Sequence, residues 1–194
     1  MPAEPAARPV GPDGAADGVV GETVCPGCGL RSTEPGIELD RPLNASAACW
    51  GLHAETVGFE LLHAARLGRL HQLTVDAYGA AHAGPPTGAR YVTYSLVGLC
   101  LALERGATGD EVRAFHSRMG PPVPTWPSFD PPKRRSRLTV ADVAAAGASA
   151  GSTEGHEELV RRWAADVWAS WSDRHAEVRA LTDRLAGSAR RSSR

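Results

Sequence analysis

Three of the four cysteines in this 194-residue chain stand close together, as Cys25-Pro-Gly-Cys28-Gly and then Cys49. Two thiolates separated by two residues can reach one tetrahedral ion from a single tight turn, and the two glycines give that turn its backbone freedom. A third thiolate and one imidazole would complete a Cys₃His ligand set. The spacing therefore predicts a metal site, and this mixture of sulfur and nitrogen donors favours Zn²⁺ over harder ions. The alternative is a turn without metal whose reduced thiols are simply buried.

The residue types leave the fourth ligand open. His53 follows Cys49 by four positions on a predicted helix, so their side chains share one face, and spacing alone makes His53 an attractive ligand. His71, at the head of the next predicted helix, competes with it. His71 and His82 share a helix face, but about 16 Å of helix axis separates them. At most one of these two histidines can therefore join the cysteines.

The elements that must position these residues are predicted to be helices. Apolar residues recur at helical spacing, and no segment alternates with the period of two that is typical of a strand. The predicted helices cover about 44–67, 70–82, 88–105 and 110–119, a short helix beginning at 139, and a long C-terminal helix over about 153–185. The third is apolar nearly all round, which is typical of a central, buried helix. The predicted fold class is all-α: a compact helical bundle with an N-terminal Cys-rich segment resembling a zinc knuckle.

Composition predicts one domain with irregular ends. Residues 1–21, rich in Ala, Pro and Gly, are expected to form a disordered leader, and residues 188–194 a disordered tail. The helical domain then spans 22–187, with the metal segment at 22–50. A Pro-rich stretch at 120–137 is predicted to be a surface loop, either functional or a strap over the bundle.

Charge and hydropathy exclude several classes of function. The net charge is −1, and the basic run at 133–137 has no accompanying basic face, so nucleic-acid binding is not favoured. The longest apolar run, 91–103, is shorter than the roughly 20 residues that span a bilayer. No signal-peptide pattern is visible, and a cytoplasmic protein is expected. Thiols stay reduced there, which favours a metal site over disulfides.

Four other residues are candidates for a second, catalytic cluster: Asp76, Tyr78, His82 and His175. Asp76 could hold the second ring nitrogen of a histidine as an outer-shell partner. His175 shares a helical stripe with Trp171, which favours a hydrogen-bonded core position over a catalytic one. Cys100, inside an apolar helix, is interpreted as a small buried hydrophobe.

The residue patterns of several segments resemble those of a known family. These are the stretch His71-Gln-Leu-Thr-Val-Asp-Ala-Tyr78 ending at His82, the CPxCG turn, the Cys49-Trp pair, and the segments 99–106 and 138–143. Over about residues 24–185 the chain resembles the bacterial family catalogued as domain of unknown function 5946. The resemblance implies Cys25, Cys28, Cys49 and His71 as the metal ligands, because the position of His53 is commonly aromatic in that family. His71 is therefore the expected fourth ligand, and His53 stays the alternative.

The family offers no activity to transfer, and this chain has Ser95 where the family usually has a histidine. A second polar site built on that histidine would be altered or lost here. Two functions remain. The first is a zinc-binding helical domain with a binding or accessory role toward a small molecule or a protein. The alternative is a metal-dependent, hydrolase-like enzyme with an open zinc position or a pocket at His82 and His175. Four protein ligands on the ion favour the first, whereas three ligands and a water favour the second.

Overall fold

A computed structural model describes residues 21–119 and 125–192, with side chains up to residue 187. The expected disordered leader therefore lies outside the described residues except for Gly21. Positions 120–124 of the Pro-rich loop and the side chains of the expected tail lie outside them as well.

The described chain begins with a small antiparallel hairpin. Strands β1 (Thr23–Val24) and β2 (Arg31–Ser32) pair in the register Thr23 to Ser32 and Val24 to Arg31. The turn between them carries the first two cysteines. Strands of two residues are too short to show a period in the sequence, which is why the hairpin was not predicted.

Eight α-helices follow in the part of the chain that the structure describes, and they confirm the all-α class. They are α1 (Ala47–Leu62), α2 (Ala64–Leu67), α3 (His71–Ala81), α4 (Ala89–Leu99), α5 (Gly109–Arg118), α6 (Val140–Ala144), α7 (Thr153–Ser170) and α8 (His175–Ser192). Two of them continue into one turn of wider, π-type helix, namely α4 into Cys100–Glu104 and α6 into Ala145–Ser149.

Helix starts follow ordinary capping chemistry. Ser46 caps α1, its hydroxyl accepting a hydrogen bond from the backbone N–H of Cys49 at 3.2 Å. Thr108 and Thr139 form capping boxes at α5 and α6 with acidic residues three positions on. Asn44, two residues before Ser46, donates its side-chain amide to the Ala83 carbonyl.

Two predicted helices are interrupted. The first ends at His63 and resumes as the short α2, and the last breaks at Trp171, where the turn Ser172–Arg174 separates α7 from α8. Neither break contains Gly or Pro, so the apolar periodicity continues through both. Helix α8 runs to Ser192, beyond position 188, where the tail was predicted to start.

Helix α3 lies at the centre and packs against α1, α4, α5 and α7. The core around it is aromatic and aliphatic, and its largest fully buried side chains include Trp163, Trp171, Tyr78, Leu96 and Leu99. The apolar α4 was predicted to be the central helix; it is buried, but it shares the centre with α3. No helix within 21–119 and 125–192 has both the length and the apolar character that crossing a bilayer requires.

Contacts along α1 and α3 show that these two helices run antiparallel. Cys49 near the start of α1 meets His82 at the end of α3, whereas Glu60 near the end of α1 meets His71 at the start of α3. The interruption at His63 and the short α2 reverse the chain between them. This hairpin decides which histidine reaches the cysteines.

Candidate metal centre

Cys25, Cys28, Cys49 and His82 converge on one point, and their ligand atoms all lie within 4.8 Å of one another. Cys28 Sγ is 3.7 Å from Cys49 Sγ, and Cys49 Sγ is 3.3 Å from His82 Nε2. Each of the four residues is between 0% and 6% exposed. They form a closed Cys₃His group in the protein interior.

The hairpin turn presents two of the sulfurs. The Cys25 N–H donates to the Leu30 carbonyl at 2.8 Å, and the Gly29 N–H donates to the Cys25 carbonyl at 3.0 Å. Gly29 has φ of +82°, in the left-handed region that favours glycine. Cys25 Sγ also accepts a hydrogen bond from the Ser46 N–H at 3.4 Å, which links the turn to the start of α1.

Gly27 allows the turn to lie directly against the end of α3. A Cβ atom at this position would stand 2.5 Å from the Asn44 carbonyl oxygen and 2.6 Å from Cδ2 of His82. Any side chain would therefore push the hairpin away from the histidine. The glycine of the CPxCG motif is required by this close approach as well as by turn flexibility.

The ring of His82 is oriented by the backbone one turn earlier. Its Nδ1 lies 2.7 Å from the Tyr78 carbonyl oxygen, which can only accept a hydrogen bond. In the neutral ring the proton therefore sits on Nδ1, and the Nε2 lone pair faces the sulfurs. Metal-binding histidines are commonly held by this kind of outer hydrogen bond.

Tyr78 supports the centre from the other side. Its ring is stacked between His53, at a centroid distance of 3.9 Å, and His82, at 4.0 Å. Its hydroxyl donates to Cys49 Sγ at 3.7 Å. Burial and the neighbouring cysteines raise the pKa of Tyr78, so the phenol keeps the proton that it donates.

Electrostatics in the group favour a bound cation. Hydrogen bonds from Cys28 and Cys49 lower the pKa of Cys25, whereas hydrogen bonds to Cys25 and Cys28, together with burial, raise the pKa of Cys49. Burial alone would lower the pKa of His82, but hydrogen bonds to the cysteines and their negative charge raise it to about 9. Several buried thiols therefore cannot ionise together without a positive charge among them.

The distances fit zinc. With Zn–S near 2.3 Å and Zn–N near 2.05 Å, a regular tetrahedron has S–S edges of about 3.8 Å and S–N edges of about 3.6 Å. The sulfur–sulfur and sulfur–nitrogen separations of 3.7 Å and 3.3 Å are close to these values. The same four residues would hold the ion, and a closed centre of this kind would add folding energy and cross-link the chain.

The structure does not bring His71 or His53 into this group, contrary to the expectation from the sequence. His71 lies at the opposite end of α3, where its Nδ1 is 3.0 Å from Oε2 of Glu60. His53 is buried against Tyr78, and its Nδ1 has no hydrogen-bond partner among the described residues. Burial and the charge of His82 lower the pKa of His53 to about 3.

A signal for His82 was present in the sequence. A hairpin of the two predicted helices, 44–67 and 70–82, places the end of the second helix beside the start of the first. The same geometry puts His71 about 27 Å from Cys49, since eighteen residues of straight helix rise about 1.5 Å each. Helix-hairpin geometry therefore favoured His82. The family resemblance favoured His71, and the i, i+4 spacing from Cys49 favoured His53.

The remaining candidates do not form one catalytic cluster. His175 stacks on Trp168 at 4.0 Å and lies 3.8 Å from Glu104, and it is not part of the metal group. Asp76 is buried, and its Oδ1 accepts a hydrogen bond from Gln72 at 3.0 Å. Tyr78 and His82 are joined to the metal group itself. Cys100 is buried, as the sequence predicts.

Fold and site together define a helical protein with a buried Cys₃His group suited to a metal ion. A family model described as a family of unknown function, DUF5946, matches residues 23–172. The chain therefore belongs to that family, as its sequence motifs indicated. No curated protein and no solved structure gave a significant match.

Proposed function

We propose that this protein binds one Zn²⁺ ion through Cys25, Cys28, Cys49 and His82, and that the ion is structural. The observation that carries the proposal is the presence of four buried protein ligands around one point. A zinc ion with four protein ligands has no open position for a water molecule, so it stabilises the fold and does no chemistry.

The proposed ion joins three elements of the fold. Cys25 and Cys28 come from the hairpin, Cys49 from the first turn of α1, and His82 from the end of α3. The hairpin contributes little large apolar surface of its own, and Val24 is 44% exposed. A metal cross-link would hold it where burial alone would not.

The role that we assign to the helical domain is one of binding or accessory function, in the cytoplasm. Four free cysteines, three of them clustered, support a reducing compartment. The alternative, a hydrolase-like enzyme with a pocket at His82 and His175, gains no support from the contacts. His82 faces the sulfurs, and His175 belongs to a separate contact with Trp168 and Glu104.

Native mass spectrometry and zinc-edge X-ray absorption of the purified full chain test the proposal. We expect one zinc ion per chain with a first shell of three sulfurs and one nitrogen. Folded protein that carries no metal would refute zinc binding. A shell with fewer protein ligands and an added oxygen would refute the structural role and favour catalysis.

A further inference from the structure

A second site lies beside the first half of α3, whereas the metal group lies at the end of that helix. A cavity of about 450 Å³ opens between α3, the wide turn after α4 and the start of α5. Its walls are mostly apolar, and they are formed by Leu70, Leu73, Ala102, Leu103, Ala107 and Val112. Cavities of this size and character are typical of small-molecule sites.

A buried carboxyl group lines the inner part of this cavity. Asp76 is 3% exposed, and Gln72 Nε2 donates to its Oδ1 at 3.0 Å. Gly98 lets the carboxyl approach closely, since a Cβ there would overlap Asp76 Oδ2. Burial raises the pKa of Asp76 well above its usual range.

The outer part of the cavity is positively charged. Arg69 and Arg161 both line it, and both contact the same carboxylate oxygen, Oε1 of Glu157, at 2.7 Å and 3.2 Å. Two cations sharing one anion leave an excess positive charge at this rim. Such a pair suits a carboxylate, which arginine binds well.

The wall opposite α3 is the π-type turn Cys100–Glu104, which provides Ala102 and Leu103. Turns of this type occur frequently at functional sites because they redirect side chains that an α-helix would point elsewhere. Asp76 lies about 7.5 Å along the axis of α3 from its first residue, His71, and Arg69 lies just before that residue. A flexible carbon chain of medium length is therefore the choice for spanning the two polar ends of the cavity.

We propose that this cavity binds a small amphipathic carboxylate that has a second polar oxygen at its far end. The carboxylate lies at Arg69 and Arg161, the apolar body lies against the leucines, and the far oxygen lies at the polar pair of Gln72 and Asp76, both of which line the cavity. The site goes beyond the proposed zinc function. No metal-group cysteine or histidine lines it.

NMR titration of the isotope-labelled full chain with 8-hydroxyoctanoate tests the site. Octanoate lacks the far hydroxyl, and octane-1,8-diol lacks the carboxylate, so these two compounds separate the contributions of the two ends. We expect saturable shifts at Leu70, Leu73, Leu103 and Val112, with weaker binding of both comparison compounds. Absence of saturable shifts there, or binding of the diol as tight as that of the hydroxy acid, would overturn the proposal. Equally tight binding of octanoate would overturn the role of Asp76.

Two neighbouring arginines provide a matched pair of variants. Arg161→Gln removes a rim charge, whereas Arg162→Gln removes a charge that pairs with Glu158 and lies outside the cavity. We expect the first to weaken binding by about tenfold, the order for one charge-assisted hydrogen bond, and the second to leave it unchanged. Equal effects would overturn the carboxylate assignment. Zinc content measured on the same samples separates failure of this site from failure of the metal centre.

Discussion

At the scale of single residues, the identity of the fourth ligand depends on where each histidine lies along the α1–α3 hairpin. His82 is 0% exposed, with Nε2 at 3.3 Å from Cys49 Sγ and Nδ1 held by a carbonyl oxygen. His71 has its Nδ1 occupied by Glu60. Proximity, tautomer and burial therefore all favour His82 as the ligand.

Replacing His82 by Ala should lower zinc affinity by at least about 100-fold, because one of four ligands is lost together with its outer hydrogen bond. His71→Ala and His53→Ala should keep metal affinity within a few-fold of the wild type. Competition with a zinc-binding dye measures all three. Loss of zinc from His71→Ala with retention in His82→Ala would contradict the assignment and restore the expectation from the family resemblance.

At the scale of elements, one buried carboxylate links three helices. Glu60 of α1 is 0% exposed and contacts His71 of α3 and His156 of α7, each at 3.0 Å. The Thr74 hydroxyl donates to the same carboxylate. Burial opposes ionisation of Glu60, but hydrogen bonds from His156, His71 and Thr74 outweigh it and lower its pKa. The network fixes the register of α1 against α3, and with it the position of Cys49.

Glu60→Gln should destabilise the protein by about 3 kcal/mol, because a buried hydrogen-bonded charge is replaced by an amide that cannot accept from all three donors. Urea unfolding at neutral pH measures this change. The matched control is Glu55→Gln, an exposed position on the same helix, which should change stability by less than about 0.5 kcal/mol. Equal effects of the two substitutions would contradict a special role for Glu60.

The lowered pKa of Glu60 also predicts how the unfolding free energies of Glu60→Gln and Glu55→Gln differ as the pH changes. A carboxyl group whose pKa is lower in the folded state stabilises the protein above its unfolded value, about 4.3 for glutamate, and this contribution is lost as the pH falls through the folded value. The gap in unfolding free energy between Glu55→Gln and Glu60→Gln should therefore narrow in acid. Urea unfolding of both variants at several pH values, at matched zinc content, shows whether this difference narrows or widens in acid. A gap that widens in acid would show that Glu60 is not ionised in the fold.

At the scale of the whole molecule, the metal group lies at one edge of a core that has its own support. The hairpin and the start of α1 depend on the cysteines, whereas Trp163, Trp171 and Leu96 pack among α3, α4 and α7 away from them. A domain built this way is expected to open locally before it unfolds globally.

Removal of zinc with a chelator should therefore increase amide hydrogen exchange mainly before residue 50, and leave α4 and α7 protected. Cys28→Ser should reproduce this pattern. Cys100→Ser, at a cysteine that is buried outside the metal group, should not increase exchange in the hairpin. Exchange that rises equally in all helices would instead make the metal essential for the whole fold.

Local chemistry and periodicity determined much of this protein from the sequence alone. The CPxCG turn and Cys49 indicated the sulfur ligands, because two-residue spacing is a local constraint, and amphipathic periods indicated an all-α domain. The starts of α1, α5 and α6 lie close to the predicted ones, because the caps Ser46, Thr108 and Thr139 act on the residues next to them. The interruptions at His63 and Trp171 carry no local signal, so the predicted helices ran through them.

Only the tertiary structure decided which histidine meets the cysteines and which residues share the second cavity. The contact between His82 and the cysteines depends on the antiparallel register of α1 and α3, which is set by burial of the core and by the Glu60 network across three helices. Spacing within one helix proposed His53, and likeness to a family proposed His71. The hairpin brings the end of α3 back to the start of α1, and His82 is the histidine at that end.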